Sequence, residues 1–151
     1  MATRKQVYEK FGGAAEAAQL FETASGTALL CAEGLNNGWH KKVDHETAAR
    51  VLKEIESITL GVILRRFKKL IQIENSGIPE QFGRALKARN RLFHGFFEHH
   101  NLWIETPDGC EMMIEDLTAL YLELDRSHGV AAGIADALTK SFVEWRDAQS
   151  E

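Results

Sequence analysis

Apolar and small residues recur at helical spacing through most of the chain. From Arg4 to about Leu35 they fall at Phe11, Ala14, Ala18, Phe21, Ser25 and Ala28, and the cluster Gly34-Leu-Asn-Asn-Gly38 ends the run. Gly12, Gly13 and Gly26 each weaken such a helix by about 1 kcal/mol against Ala, so close helix approach or a kink is their expected reason. Asp44 is a good N-cap for a second helix to about Ser57, with a periodic face from Thr47 to Ile55. A third helix carries Leu60, Ile63, Leu64, Phe67, Leu70 and Ile71 on one face and Arg65, Arg66, Lys68 and Lys69 on the other, and Asn75-Ser-Gly77 closes it. Pro79 suits the first turn of a fourth helix, expected through Gln81 to about Glu98. Leu102-Trp-Ile-Glu105 reads as a short extended piece and Pro107-Asp-Gly109 as a turn. Asp108 and Glu111 resemble a capping box for a long helix through Met113, Leu117, Leu120 and Leu124. Ser127-His-Gly129 is expected to bend or break that helix before Ile134, Leu138, Phe142 and Trp145. No repeat or linker interrupts this pattern, which predicts one all-α domain over residues 1–151, an antiparallel bundle of about five helices.

Composition excludes several classes. With 151 residues, 44% hydrophobic and 26% charged, the chain has the profile of an ordinary globular domain. It has no apolar run near the roughly 18 residues of a membrane span, and its first residues lack a signal peptide's hydrophobic stretch, so a cytoplasmic protein without a membrane partner is expected. Cys31 and Cys110 are far apart and outside any C-x-x-C, which leaves neither a zinc ribbon nor a disulfide framework.

The formal net charge of −4 argues against a general nucleic-acid coat, yet its distribution is uneven. Between Val62 and His94 stand eight basic residues (Arg65, Arg66, Lys68, Lys69, Arg84, Lys87, Arg89, Arg91) and two acidic ones (Glu74, Glu80). Such a segment suits a phosphate-bearing partner, or is simply a solvated helix face. On a wheel of 100° per residue, Phe82, Ala85, Leu86, Leu92, Phe93 and Phe96 surround Arg89, which places that arginine in the middle of the apolar stripe. An arginine cannot shed its charge there, so it needs a carboxylate such as Glu16, Glu22 or Glu115, or a ligand phosphate. Asn90 and His94 lie toward the polar side with Lys87 and Arg91.

The R-x-x-x-x-H spacing alone is unspecific, but the stretch Ala88-Arg-Asn-Arg-Leu-Phe-His-Gly95 on a helix of a small all-helical protein resembles the R-N-x-x-x-H signature of the HEPN superfamily. The resemblance covers about ten residues closely and most of the chain in helical organisation. It implies a HEPN-like bundle, commonly a homodimer whose signature helices meet across a cleft. Many members are metal-independent endoribonucleases of toxin, defence or RNA-processing systems, some held by an antitoxin, and others are non-catalytic RNA-binding or partner-binding modules. Carried over, the resemblance makes His94 the catalytic histidine, Arg89 the signature arginine and Asn90 the polar residue after it. The RNA's 2′-hydroxyl would attack the adjacent phosphate, leaving a 2′,3′-cyclic phosphate and a 5′-hydroxyl. Arg65, Arg66, Lys68, Lys69, Lys87 and Arg91 are the candidate RNA-binding residues, and no cofactor or metal is expected. Glu98 is placed to influence His94 from one turn on. One departure concerns members paired with a nucleotidyltransferase, which often carry tyrosine two residues after the histidine, where this chain has Phe96.

Other constellations are poorer. His94, Glu98, His99 and His100 look metal-rich, but no two of these histidines have the i,i+4 spacing of a helical zinc pair. Trp39-His-Lys-Lys42 offers a stacking surface beside charge, or an ordinary tryptophan next to a basic turn. No G-x-S-x-G or P-loop pattern is present.

Overall fold

A computed structural model describes residues 1–150. Among them there are only helices and their connections: α1 (Arg4–Asn36), α2 (His45–Ser57), α3 (Leu60–Leu70), α4 (Ile78–Phe93), α5 (Phe96–His100), a 3-10 helix (Asn101–Glu105) and α6 (Pro107–Gln149). The protein is all-α, and no described helix is long and apolar enough to cross a membrane. The chain forms two compact units, one from Met1–Phe21 with Glu80–His128 and the other from Glu22–Pro79 with the chain from Gly129 onward.

The first unit buries Val7, Ala14, Ala18 and Phe21 of α1, Phe82, Ala85, Ala88 and Leu92 of α4, Phe96 of α5, and Met113, Leu117, Leu120 and Leu124 of α6. Phe21 meets Phe82 edge-on, with ring centroids 5.3 Å apart. The second unit buries Ala28, Leu29 and Ala32 of α1, Val51 and Ile55 of α2, Leu60, Ile63 and Phe67 of α3, and Ala131 and Ala135 of α6, together with Trp39. Asp44 caps α2 as its sequence suggests, accepting from the Thr47 amide at 3.0 Å and the Thr47 hydroxyl at 2.6 Å. Those bonds, the hydroxyl's first, hold the Asp44 carboxyl below its ordinary pKa.

Five local expectations are corrected. α4 stops at Phe93 instead of running to Glu98, because Gly95 takes a left-handed conformation (φ 92°) that ends one helix and begins the next. The segment 101–105 is a 3-10 helix, not extended, and the cap of α6 is Thr106, two residues before the expected Asp108: Thr106 accepts the Cys110 amide with its carbonyl and the Gly109 amide with its hydroxyl, so Pro107 is the first helical residue. Ser127-His-Gly129 does not interrupt α6. Its buried positions Leu120, Leu124, Ser127, Ala131 and Ala135 keep a spacing of three or four across Gly129, and burial of that stripe outweighs one glycine. Gly12 and Gly13 admit no close helix, since a Cβ there would meet nothing within 4 Å; only Gly26 of the three approaches a neighbour, Ile55.

Candidate functional site

Glu80 in its first turn and Arg91 in its last suit α4 to its own dipole, and a stripe of Phe82, Ala85, Ala88 and Leu92 fixes its buried face. That stripe is centred roughly 45° away from Arg89 on the wheel, so Arg89 lies at its edge and not in its middle. The expectation failed because Phe93, counted as apolar core, is 40% exposed, and Phe96 belongs to a different helix beyond Gly95.

At the stripe's edge Arg89 is half-buried, its guanidinium carbon 5.2 Å from the centroid of the Phe93 ring one turn on. Its Nη1 donates to Asn90 Oδ1 at 3.4 Å, a long bond that nonetheless aims both polar heads together. Asn90 is exposed, and its carbonyl accepts the His94 amide at 2.8 Å, so the last hydrogen-bonded turn of the helix carries His94 out to solvent. Arg89 and Asn90 thus meet through their side chains at the end of α4, and His94, the next residue after the helix, is joined to Asn90 through the backbone. Glu98 does not share the helix of His94; Gly95 intervenes and Glu98 lies in the first turn of α5.

The corner at His94-Gly95 is bracketed by contacts to a single carboxylate of α6. Arg91, three residues before His94, donates Nη1 to Asp116 Oδ1 at 2.7 Å and Nη2 to Asp116 Oδ2 at 2.5 Å. His100, six residues after it, places Nε2 2.7 Å from the same Oδ2. A carboxylate already accepting both arms of a guanidinium offers lone pairs only, so His100 Nε2 is the donor. The His100 ring is buried against Phe96 and Trp103, with centroids 4.6 Å and 5.4 Å away, and its Nδ1 has no hydrogen-bond partner. A second clasp joins Arg84 Nε to Glu123 Oε1 at 2.6 Å, and Arg4 pairs with Glu105.

These contacts divide the predicted RNA-binding residues. Arg91 is committed to Asp116. Arg66, in the second unit, donates to Glu33 at 2.9 Å and Glu54 at 2.8 Å, and the Glu33 carboxylate raises its pKa above the ordinary arginine value. Both therefore already serve internal ion pairs. Arg65, Lys68 and Lys69 of α3 and Lys87 of α4 are exposed or half-exposed. The two sets lie in different compact units, α3 in the second and the Arg89–His94 edge in the first.

The sequence names His100 only in a metal-rich run and does not mark Asp116 at all, so their shared bond is not legible there. The only signal for them was indirect: a bidentate arginine needs a planar acceptor, and a run of adjacent histidines in an amphipathic segment puts one of them inward. His99 and His100 accordingly separate, one exposed and one buried, and no group of three or more metal-binding side chains forms among the described residues. Both cysteines are free; Cys110 is buried with Sγ 3.3 Å from the Ile104 carbonyl, and Cys31 lies 3.4 Å from the Thr139 hydroxyl. No protein-family model, curated protein or solved structure matches the chain.

Proposed function

We propose that the chain is a metal-independent endoribonuclease of HEPN type, acting in the cytoplasm as a homodimer, with Arg89, Asn90 and His94 as its reactive edge. The observation that carries this reading is the set at the end of α4: the Arg89 guanidinium hydrogen-bonded to the Asn90 carboxamide, and just past the helix the His94 imidazole in solvent, its amide bonded to the Asn90 carbonyl. In the reaction the RNA's 2′-oxygen attacks the neighbouring phosphorus, its proton passes to a base, and the 5′-oxygen leaves with a proton from an acid. The products are a 2′,3′-cyclic phosphate and a 5′-hydroxyl, so atoms balance without water or metal. One histidine serves one proton transfer well, contributing typically 10²- to 10⁴-fold. The second transfer needs another group, which His94 of a second copy supplies. Arg89 stabilises the charge that grows on the phosphorane, and Asn90 holds Arg89 or the phosphate in register. Arg65, Lys68, Lys69 and Lys87 are left to meet RNA phosphates.

A second reading, a non-catalytic RNA-binding or partner-binding module, is favoured by one specific observation: Arg89 is engaged by Asn90 and Phe93, while Arg66 and Arg91 are spent on internal ion pairs. The two readings part on a single gel. Purified protein with mixed RNA in EDTA yields fragments ending in cyclic phosphate under the ribonuclease reading, and leaves 2′-O-methylated RNA intact. Intact unmodified RNA together with RNA binding selects the module.

A further inference from the structure

We infer that Asp116 is a positioning residue for His94, fixing the corner that carries it by gripping the chain on both sides; this rests on the ribonuclease reading of the same edge. The grip is specific in its geometry. Arg91 and His100 lie on two different helices separated by a left-handed glycine, and both converge on Asp116, with three hydrogen bonds of 2.5, 2.7 and 2.7 Å. The corner's other contacts are apolar and less directional: Phe96 is buried and meets Phe11, and Phe97 meets Tyr8 and Phe11 of α1, so Asp116 supplies the aimed polar bonds on either side of the turn while His94 and Gly95 stay exposed. Two anchor points on one carboxylate, one before and one after the turn, set the angle at which α5 leaves α4 and therefore where His94 projects.

The choice of side chains argues for direction over mere cohesion. An apolar residue at position 100 would pack between Phe96 and Trp103 and leave no orphaned Nδ1, whereas histidine accepts that orphaned atom and gains one aimed hydrogen bond. Asp116 is itself mostly enclosed, with 17% of its side chain exposed, so its bonds compete little with water. A proton-transferring group displaced by about 1 Å loses on the order of 10²-fold in rate, which is the sensitivity that a positioning residue acts through.

Asp116→Asn tests this. Its carboxamide keeps the shape but accepts only one arm of Arg91 and turns an N–H toward the donors. Two quantities are read on the full-length protein: kcat and KM for a defined RNA in EDTA, and amide hydrogen exchange across the chain by nuclear magnetic resonance. The inference expects kcat to fall at least tenfold with KM within twofold, and exchange at the His94 amide to quicken at least tenfold while α1 and the rest of α6 stay within twofold. Wild-type kcat in a normally folded Asp116→Asn protein overturns it. So does a fall in kcat matched by faster exchange everywhere, which describes a stability residue. If Asp116→Asn does not fold, Arg91→Gln removes one arm and leaves the His100 bond; the same changes in kcat and in His94 exchange are expected, and wild-type kcat or uniformly faster exchange again overturns the inference. Should wild-type protein cut no RNA, the ribonuclease reading fails, and the grip stands or falls on the exchange data alone: unchanged exchange at His94 overturns it too.

Discussion

Gly95→Ala separates two descriptions of the helix that carries His94. In the structure Gly95 has φ 92° and ψ 25°, a left-handed conformation between α4 and α5. A Cβ built there would lie 3.6 Å from Glu98 Oε2 and 4.0 Å from Glu98 Cβ, which is ordinary contact, so no collision contributes. The penalty is then purely that of an L-residue in the left-handed region, about 1–2 kcal/mol. If the helix instead ran unbroken to Glu98, as the apolar spacing suggests, the same substitution would stabilise it by up to about 1 kcal/mol, because alanine is the better helix former. The two descriptions therefore predict opposite signs. Urea unfolding followed by far-ultraviolet circular dichroism reads the difference, and each kcal/mol corresponds to about 2–4 °C in melting temperature for a chain of this size. Gly95→Asn should fall between wild type and Gly95→Ala, since asparagine tolerates the left-handed region. An alanine variant as stable as wild type or more so would refute the broken helix, and with it the placement of His94 at an exposed corner.

Other outcomes follow from the same structure. Gly109→Ala drives a Cβ into the Trp103 carbonyl oxygen, a backbone atom, so the 3-10 helix must move off the start of α6; the loss should exceed that of Gly95→Ala in the same unfolding assay, and equal stability would contradict the contact. Arg66→Met removes bonds to two carboxylates, one of them mostly buried, and should lower stability by about 1–2 kcal/mol, whereas Lys68→Gln with Lys69→Gln should not. Conversely, the double lysine variant should reduce the log–log salt slope of RNA binding by roughly 0.7 per lost contact, measured by titration at several ionic strengths. Asp44 has a depressed folded pKa, so its capping contribution is fully present above the unfolded carboxylate value of about 3.9 and is lost as pH falls through the lower folded value. Amide exchange at Thr47, corrected for intrinsic rates, should therefore quicken only in acid below that range; a change centred near neutrality would contradict it.

Much of the fold was legible because long amphipathic stripes dominate it. Ala14, Ala18, Phe21, Ser25 and Ala28 are buried as their spacing suggests, as are Leu60, Ile63 and Phe67, and Met113, Leu117, Leu120 and Leu124. Asp44 declared α2 through a local bond that needs no tertiary context. What escaped is what depends on tertiary context or on one dihedral. Phe93 and Phe96 share a wheel face only if Gly95 is helical, so a single left-handed residue rotated the apparent stripe and moved Arg89 from its centre to its edge. Along the second half of α6 the large apolar residues are not the core ones; Ala131 and Ala135 are buried while Trp145 is 51% exposed, since small residues permit close packing that hydrophobicity alone does not rank. Arg66 and Arg91 look like any other basic residue in sequence. Only the distant carboxylates Glu33, Glu54 and Asp116 distinguish them from Arg65, Lys68, Lys69 and Lys87.

Under the proposed function, His94 transfers a proton during metal-free RNA cleavage. Its most direct test is a single-turnover comparison of wild type and His94→Ala on one RNA in EDTA, with the fragment ends analysed. Because His94 is exposed, its removal should change stability by well under about 1 kcal/mol, so any loss of activity reports chemistry. Expected are fragments with 2′,3′-cyclic phosphate and 5′-hydroxyl ends from wild type, and a rate lower by about 10²- to 10⁴-fold for the variant with RNA affinity retained. A folded His94→Ala protein that cleaves at the wild-type rate would contradict it.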